Sequence, residues 1–135
     1  MIIDSRLEEI PRVTRWIDEQ LGGAGLRDGL SFDIQVCLEE AIANIVLHAF
    51  KGATGHPIVV SLAIGAEEVS VQVRDSGPPF DPRGVVQAAP PSSPQDTTIG
   101  GVGLRLIRGL AQSFDYVLLD DANQLTLTFA SRGRL

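Results

Sequence analysis

Residues 32–50, FDIQVCLEEAIANIVLHAF, carry two stripes at helical spacing. Ile34, Leu38, Ala41, Ile45 and Ala49 recur at three- and four-residue steps, which predicts an amphipathic helix with this stripe toward a core. Glu40, Asn44 and His48 stand at i, i+4 and i+8 and form a polar stripe beside it. Glu39 is the rival carboxylate, but one residue turns a helical side chain by about 100°, so Glu40 shares a face with Asn44 more readily than Glu39 does. A neutral amide oxygen is a hard ligand suited to Mg²⁺, which keeps its waters and substrate phosphates. A carboxylate one turn away can take a proton from an attacking hydroxyl. Taken alone, these three residues also fit a solvated helix face.

Upstream, Ser31 is an N-cap candidate for this helix. The run GGAGLRDG separates it from SRLEEIPRVTRWIDEQL, where Leu7, Ile10, Val13, Ile17 and Leu21 predict a first amphipathic helix with Pro11 in its early turns. Before that, MIID is too short to make a full strand. Downstream the period changes. IVVSLAI and EVSVQVRD alternate apolar and polar residues as half-buried strands do, and GAEE between them suits a hairpin. From about 80 to 100 the chain is rich in Pro, Ser, Gln and Ala without a clear period, the profile of a lid or binding segment. GGVGLRLIRGLAQSF then restarts a helix. The strands DYVLLD and QLTLTFA follow, separated by DAN. Helices that cover one face of a mostly antiparallel mixed sheet make an α/β two-layer sandwich.

The 135 residues suit one domain, read as spanning 1–135. No apolar run approaches membrane-spanning length, and MIIDSRLEEI does not read as an export signal. Cys37 is the only cysteine and reads as a packed core residue, in keeping with a reducing cytoplasm. Eleven basic against seventeen acidic residues give a net charge of −6 with no basic face, which argues against direct nucleic-acid binding.

Two further stretches carry chemistry. In VQVRDSGPPFDP, Asp75 falls where a strand ends and Gly77 follows two residues later. An ionised carboxylate only accepts hydrogen bonds, so Asp75 suits an exocyclic amine such as that of adenine, and Gly77 lets a flat ring approach the backbone. The same residues also suit a plain turn. In GGVGLRLI, Gly100–Ile107, Gly101 and Gly103 open a helix whose free N–H groups and dipole favour phosphates, with Arg105 and Arg108 in its first turns. No Gly-Lys-Ser/Thr follows and no strand leads directly in, so it is neither a Walker loop nor a dinucleotide fingerprint. A hinge would also need such glycines.

In this order, EEAIANIVLHAF, DSGPPFDP and GGVGLRLI resemble the N box and the two glycine boxes of the Bergerat-fold ATPases, the histidine-kinase-like ATPase superfamily. Within it, EAxxNxxxHA, GPPFDP and GGxGLxLI are similar to the free-standing anti-sigma-factor serine/threonine kinases of bacteria. The resemblance runs from about Ile34 to Phe129. It implies ATP and Mg²⁺ as cofactors, Glu40 as general base, and Asn44 as the metal ligand. It implies Asp75 and Gly77 at the adenine, Thr126 supporting Asp75, and an ATP lid at about 80–100. Gly101, Val102, Gly103, Leu104 and Arg105 would surround the phosphates. It further implies an anti-sigma-factor antagonist as protein substrate, a sigma factor held by the kinase, a homodimer, and a cytoplasmic location. The other reading is a non-catalytic ATP-binding partner-switch module that regulates another signalling protein.

Overall fold

A computed structural model of the chain describes residues 1–79 and 107–132. In chain order these form β1 (Ile2–Asp4), a 3₁₀ turn (Leu7–Glu9), α1 (Ile10–Leu21), α2 (Leu30–Asn44) continued by a π turn (Ile45–Ala49), β2 (Pro57–Ile64) and β3 (Glu68–Asp75). A helical turn at 107–110 then leads to β4 (Ser113–Leu118) and β5 (Asn123–Ala130). The five strands form one sheet in the order β1-β2-β3-β5-β4, and each described pairing is antiparallel.

The alternation in the sequence sets which face is covered. Val69, Val71, Val73 and Asp75 of β3 are buried, as are Asn123, Leu125, Leu127 and Phe129 of β5. Register aligns them: Asp75 lies opposite both Ile58 and Asn123, and Val73 opposite both Val60 and Leu125. Side chains two apart share a face, so one face of the central strands is continuously apolar apart from Asp75 and Asn123 at its end. Against it lie Val13 and Ile17 of α1, Ile34, Leu38 and Ala41 of α2, and Ile45 and Ala49 of the π turn, all in one core cluster. Leu→Ala or Ile→Ala changes in such a core cost about 2–5 kcal/mol. Cys37 is fully buried in the same cluster, and burial, then the charges of Asp33 and Glu40, push its thiol up to about 12.

Three features depart from the sequence expectation. MIID does contribute a strand, β1, because its edge pairing with β2 and the burial of Ile3 supply what its length does not. Its terminal ammonium also donates to the Val60 carbonyl at 2.8 Å. Ser31 is not the N-cap. That position belongs to Gly29, whose φ of 82° is left-handed and favours glycine. The Ser31 hydroxyl instead donates to Asp18 Oδ1 on α1 at 2.6 Å, a tertiary partner in place of a local cap. Finally, the expected single helix through Phe50 widens after Asn44, where the Phe50 amide donates to the Ile45 carbonyl at 3.0 Å across five residues. The proposed lid at about 80–100 lies outside the described residues, as does most of the third helix. Ser113 and Phe114, expected at that helix's end, belong to β4.

Candidate functional site

Asp75 ends β3 in the middle of the sheet and is 5% exposed. The chain must turn immediately after it, and the carboxylate shapes that turn: the Gly77 amide donates to Asp75 Oδ1 at 2.9 Å. Asn123, the first residue of β5 and directly opposite Asp75, donates from Nδ2 to the same oxygen at 3.2 Å. The same nitrogen reaches the carbonyls of Gly77 at 3.1 Å and Pro78 at 3.0 Å. On the other side of the amide, the Tyr116 hydroxyl donates to Asn123 Oδ1. Burial raises the Asp75 pKa above the ordinary carboxylate value, and the hydrogen bonds from Gly77 and Asn123 pull the other way. Oδ2 has no hydrogen-bond partner among the described residues.

Gly77 is required by close approach. A Cβ there would lie 2.9 Å from Asp75 Oδ1 and 3.0 Å from Phe50 Cε1. Phe50 is held in turn by stacking on His56, with ring centroids 4.5 Å apart and planes 3° from parallel. The π turn thus delivers Phe50 to the turn after β3.

Asn44, the last residue of α2, is 1% exposed, and its Oδ1 is buried with no hydrogen-bond partner among the described residues. A buried amide oxygen left unpaired is costly, which is the condition expected of a group kept for a ligand. Asn44 and Asp75 line one narrow cleft between α2 and the sheet, with Asn123, Tyr116, Ala41 and Leu125. Two polar groups remote in sequence therefore face one space.

Glu40 stands one turn before Asn44. Its Oε2 is buried without a hydrogen-bond partner among the described residues. Burial, and secondarily the charge of Glu39, raises its pKa above the ordinary 4.5, as suits a base that must hold a proton in transit. Among the described residues no group of three or more His, Cys, Asp and Glu could hold a metal. A cation at Asn44 would draw its other ligands from phosphates and water, the habit of Mg²⁺. The orphaned amide oxygen fits that role.

Thr126 is a correction. It lies opposite Gln72, not Asp75, and strand alternation puts it on the sheet face away from the cleft. Asn123 supports Asp75 in its place. The sequence reading missed Asn123 because DAN looked like a turn, and only the register of β3 against β5 sets it across from Asp75. Gly101, Val102, Gly103, Leu104 and Arg105 lie outside the described residues. Arg108 is exposed in the 107–110 turn, and His48 sits half-buried in the π turn.

Comparison with known proteins places these features in context. The family model described as histidine kinase-like ATPase domain matches residues 3–129. The chain is 38% identical over 101 residues to the serine/threonine-protein kinase BtrW of Bordetella bronchiseptica, covering 73% of this chain and 70% of that protein. It is 36% identical over 98 residues to the serine-protein kinase RsbW of Listeria monocytogenes, covering 67% of this chain and 62% of that protein. Among solved structures, the catalytic domain of histidine kinase ThkA aligns with a TM-score of 0.57 at 15% identity, covering 98% of this chain and 97% of that one. At that identity the likeness concerns the fold.

Proposed function

Because the chain belongs to the histidine kinase-like ATPase family, we propose that it acts as an anti-sigma factor whose ATP-dependent serine kinase activity controls its grip on a sigma factor. It is a protein serine/threonine kinase, as are the relatives named above. The carrying observation is the cleft itself, which joins the unpaired amide oxygen of Asn44 to the buried acceptor of Asp75.

Asp75 accepts a hydrogen bond from the amino group of adenine, and Gly77 leaves room for the ring. Asn44 Oδ1 holds Mg²⁺, which when bound neutralises phosphate charge. Glu40 orients the seryl hydroxyl of the protein substrate and takes its proton as the terminal phosphate is transferred in line. Gly101, Val102, Gly103, Leu104 and Arg105 surround the phosphates beneath a lid at about 80–100, and the whole of 1–135 serves as one domain. The protein substrate is an anti-sigma-factor antagonist, and its phosphorylation releases it so that the sigma factor is held instead. The working form is a cytoplasmic homodimer that touches neither membrane nor nucleic acid. Among the described residues no helix is long and apolar enough to cross a membrane.

Incubation of the full chain with γ-labelled ATP and its antagonist protein tests the proposal. Label on a serine of the antagonist is the expected result. Intact ATP binding with no transfer, and no change on Glu40→Ala, would instead favour the non-catalytic partner-switch module.

A further inference from the structure

The turn after β3 is held from two sides. On one side Asn123 Nδ2 reaches Asp75 Oδ1 at 3.2 Å and the carbonyls of Gly77 at 3.1 Å and Pro78 at 3.0 Å. A primary amide has two hydrogens, so the three acceptors share them, and this pairing by itself admits more than one position of the turn. On the other side is an aromatic ring. A Cβ on Gly77 would meet Phe50 Cε1 at 3.0 Å and Cζ at 3.1 Å, so the ring closes the space there.

The chain places Phe50 in several steps. The π turn brings its amide onto the Ile45 carbonyl at 3.0 Å. Lys51 and Gly52 follow, both left-handed, with φ of 52° and 81°. Lys51 is the only residue other than glycine with a positive φ among the described residues, a conformation that a Cβ disfavours. The Gly52 amide then donates to the Val46 carbonyl at 2.8 Å. Just before β2, the exposed His56 lays its ring on Phe50, with centroids 4.5 Å apart and planes 3° from parallel. The backbone of His56 is itself anchored, because its amide donates to Ser5 Oγ at 3.2 Å and that of Gly55 to Asp4 Oδ1 at 2.7 Å. Neither Phe50 nor His56 lines the cleft shared by Asn44 and Asp75. An effect of theirs on a ligand must pass through Gly77, whose amide donates to Asp75 Oδ1 at 2.9 Å.

We propose that Phe50, braced by His56, is a positioning residue for the nucleotide: it seats the turn after β3 so that the Gly77 amide fixes the Asp75 carboxylate in the cleft. Without the brace the turn populates other positions, and apparent affinity falls with the fraction that stays competent. This inference rests on the adenine-nucleotide reading of the cleft and refines it.

Calorimetric titration of the full chain with ATP and Mg²⁺ tests it, with an unfolding midpoint measured for each protein. The variants are His56→Ala, His56→Phe and Phe50→Leu, beside Ile17→Val, which trims the core at α1. Well below its melting temperature the chain is almost wholly folded, so a modest loss of stability alone leaves Kd unchanged. His56→Ala should weaken ATP about fivefold, the scale of one aromatic stack. His56→Phe, which keeps a stacking ring, should return to within about twofold of the wild type. Phe50→Leu should weaken ATP at least as much as His56→Ala, and Ile17→Val should leave Kd unchanged. Phe50 is buried and its variant can fail to fold, whereas the exposed His56 can be truncated without opening the core, so His56→Ala decides the outcome. A His56→Ala chain whose Kd stays within about twofold of the wild type overturns the proposal. So does a His56→Phe chain as weak as His56→Ala, or an Ile17→Val chain weakened to the same degree. A wild type that binds no ATP overturns the nucleotide reading and this inference with it.

Discussion

At the residue scale the proposed chemistry depends on groups whose preferred state in isolation differs from their state here. Glu40 and Asp75 both have raised pKa values, chiefly from burial. The two consequences have opposite signs. The folded chain holds protons on these groups more tightly than the unfolded chain, so they disfavour folding as pH rises through the raised values. Their contribution improves as pH falls toward the ordinary 4.5 of Glu and 3.8 of Asp. With Glu40 as the proposed base and Asp75 as the proposed adenine acceptor, activity would need both groups ionised and should fall over that same acid range. A pH series of transfer rate is expected to show an acid limb with contributions from both groups, of which Glu40→Gln keeps only the one set by Asp75. Glu40→Gln should lower the transfer rate by about 10²–10⁴-fold while ATP affinity changes little. Gly77→Ala introduces a methyl 2.9 Å from Asp75 Oδ1 and 3.0 Å from Phe50. It should destabilise the chain by about 1–3 kcal/mol in denaturant unfolding and weaken ATP binding in parallel.

At the scale of elements, the helix stripe and the strand alternation were legible, because burial follows period directly. Ile34, Leu38, Ala41, Ile45 and Ala49 all lie in the core, as their spacing required. What escaped depends on contacts between remote segments. β1 exists because β2 offers an edge, and Ser31 follows Asp18 rather than its own backbone. Thr126 and Asn123 differ by three positions, and so by one face of the sheet, which no inspection of QLTLTFA can assign without the register to β3. β1 also illustrates how polar groups fix an edge. Just beyond it, the fully buried Ser5 donates from Oγ to the Ala53 carbonyl at 2.8 Å and accepts from the His56 amide at 3.2 Å. Asp4 Oδ1 accepts from Gly55 at 2.7 Å. Ser5→Ala should therefore cost about 1–3 kcal/mol, read as a lower unfolding midpoint with unchanged slope.

At the scale of the whole molecule, one layer of helix and one of sheet leave a seam where they part, and Asn44 and Asp75 meet there. Asn44 and Asp75, each at the end of a regular element, could be picked out as candidates from spacing and residue chemistry, although alone they also fitted a solvated helix face and a plain turn. The family likeness then joined them into a kinase. Binding of ATP to the folded chain alone should raise its stability by mass action, about 2.7 kcal/mol at a hundredfold excess over Kd. The measurement closest to the central claim is calorimetric titration of the full chain with ATP and Mg²⁺, for the wild type beside Asp75→Asn. One saturable site in the wild type, with affinity reduced about tenfold or more in a folded Asp75→Asn, is the expected result. Equal affinity in the two, or no binding by the wild type at millimolar ATP, would contradict it.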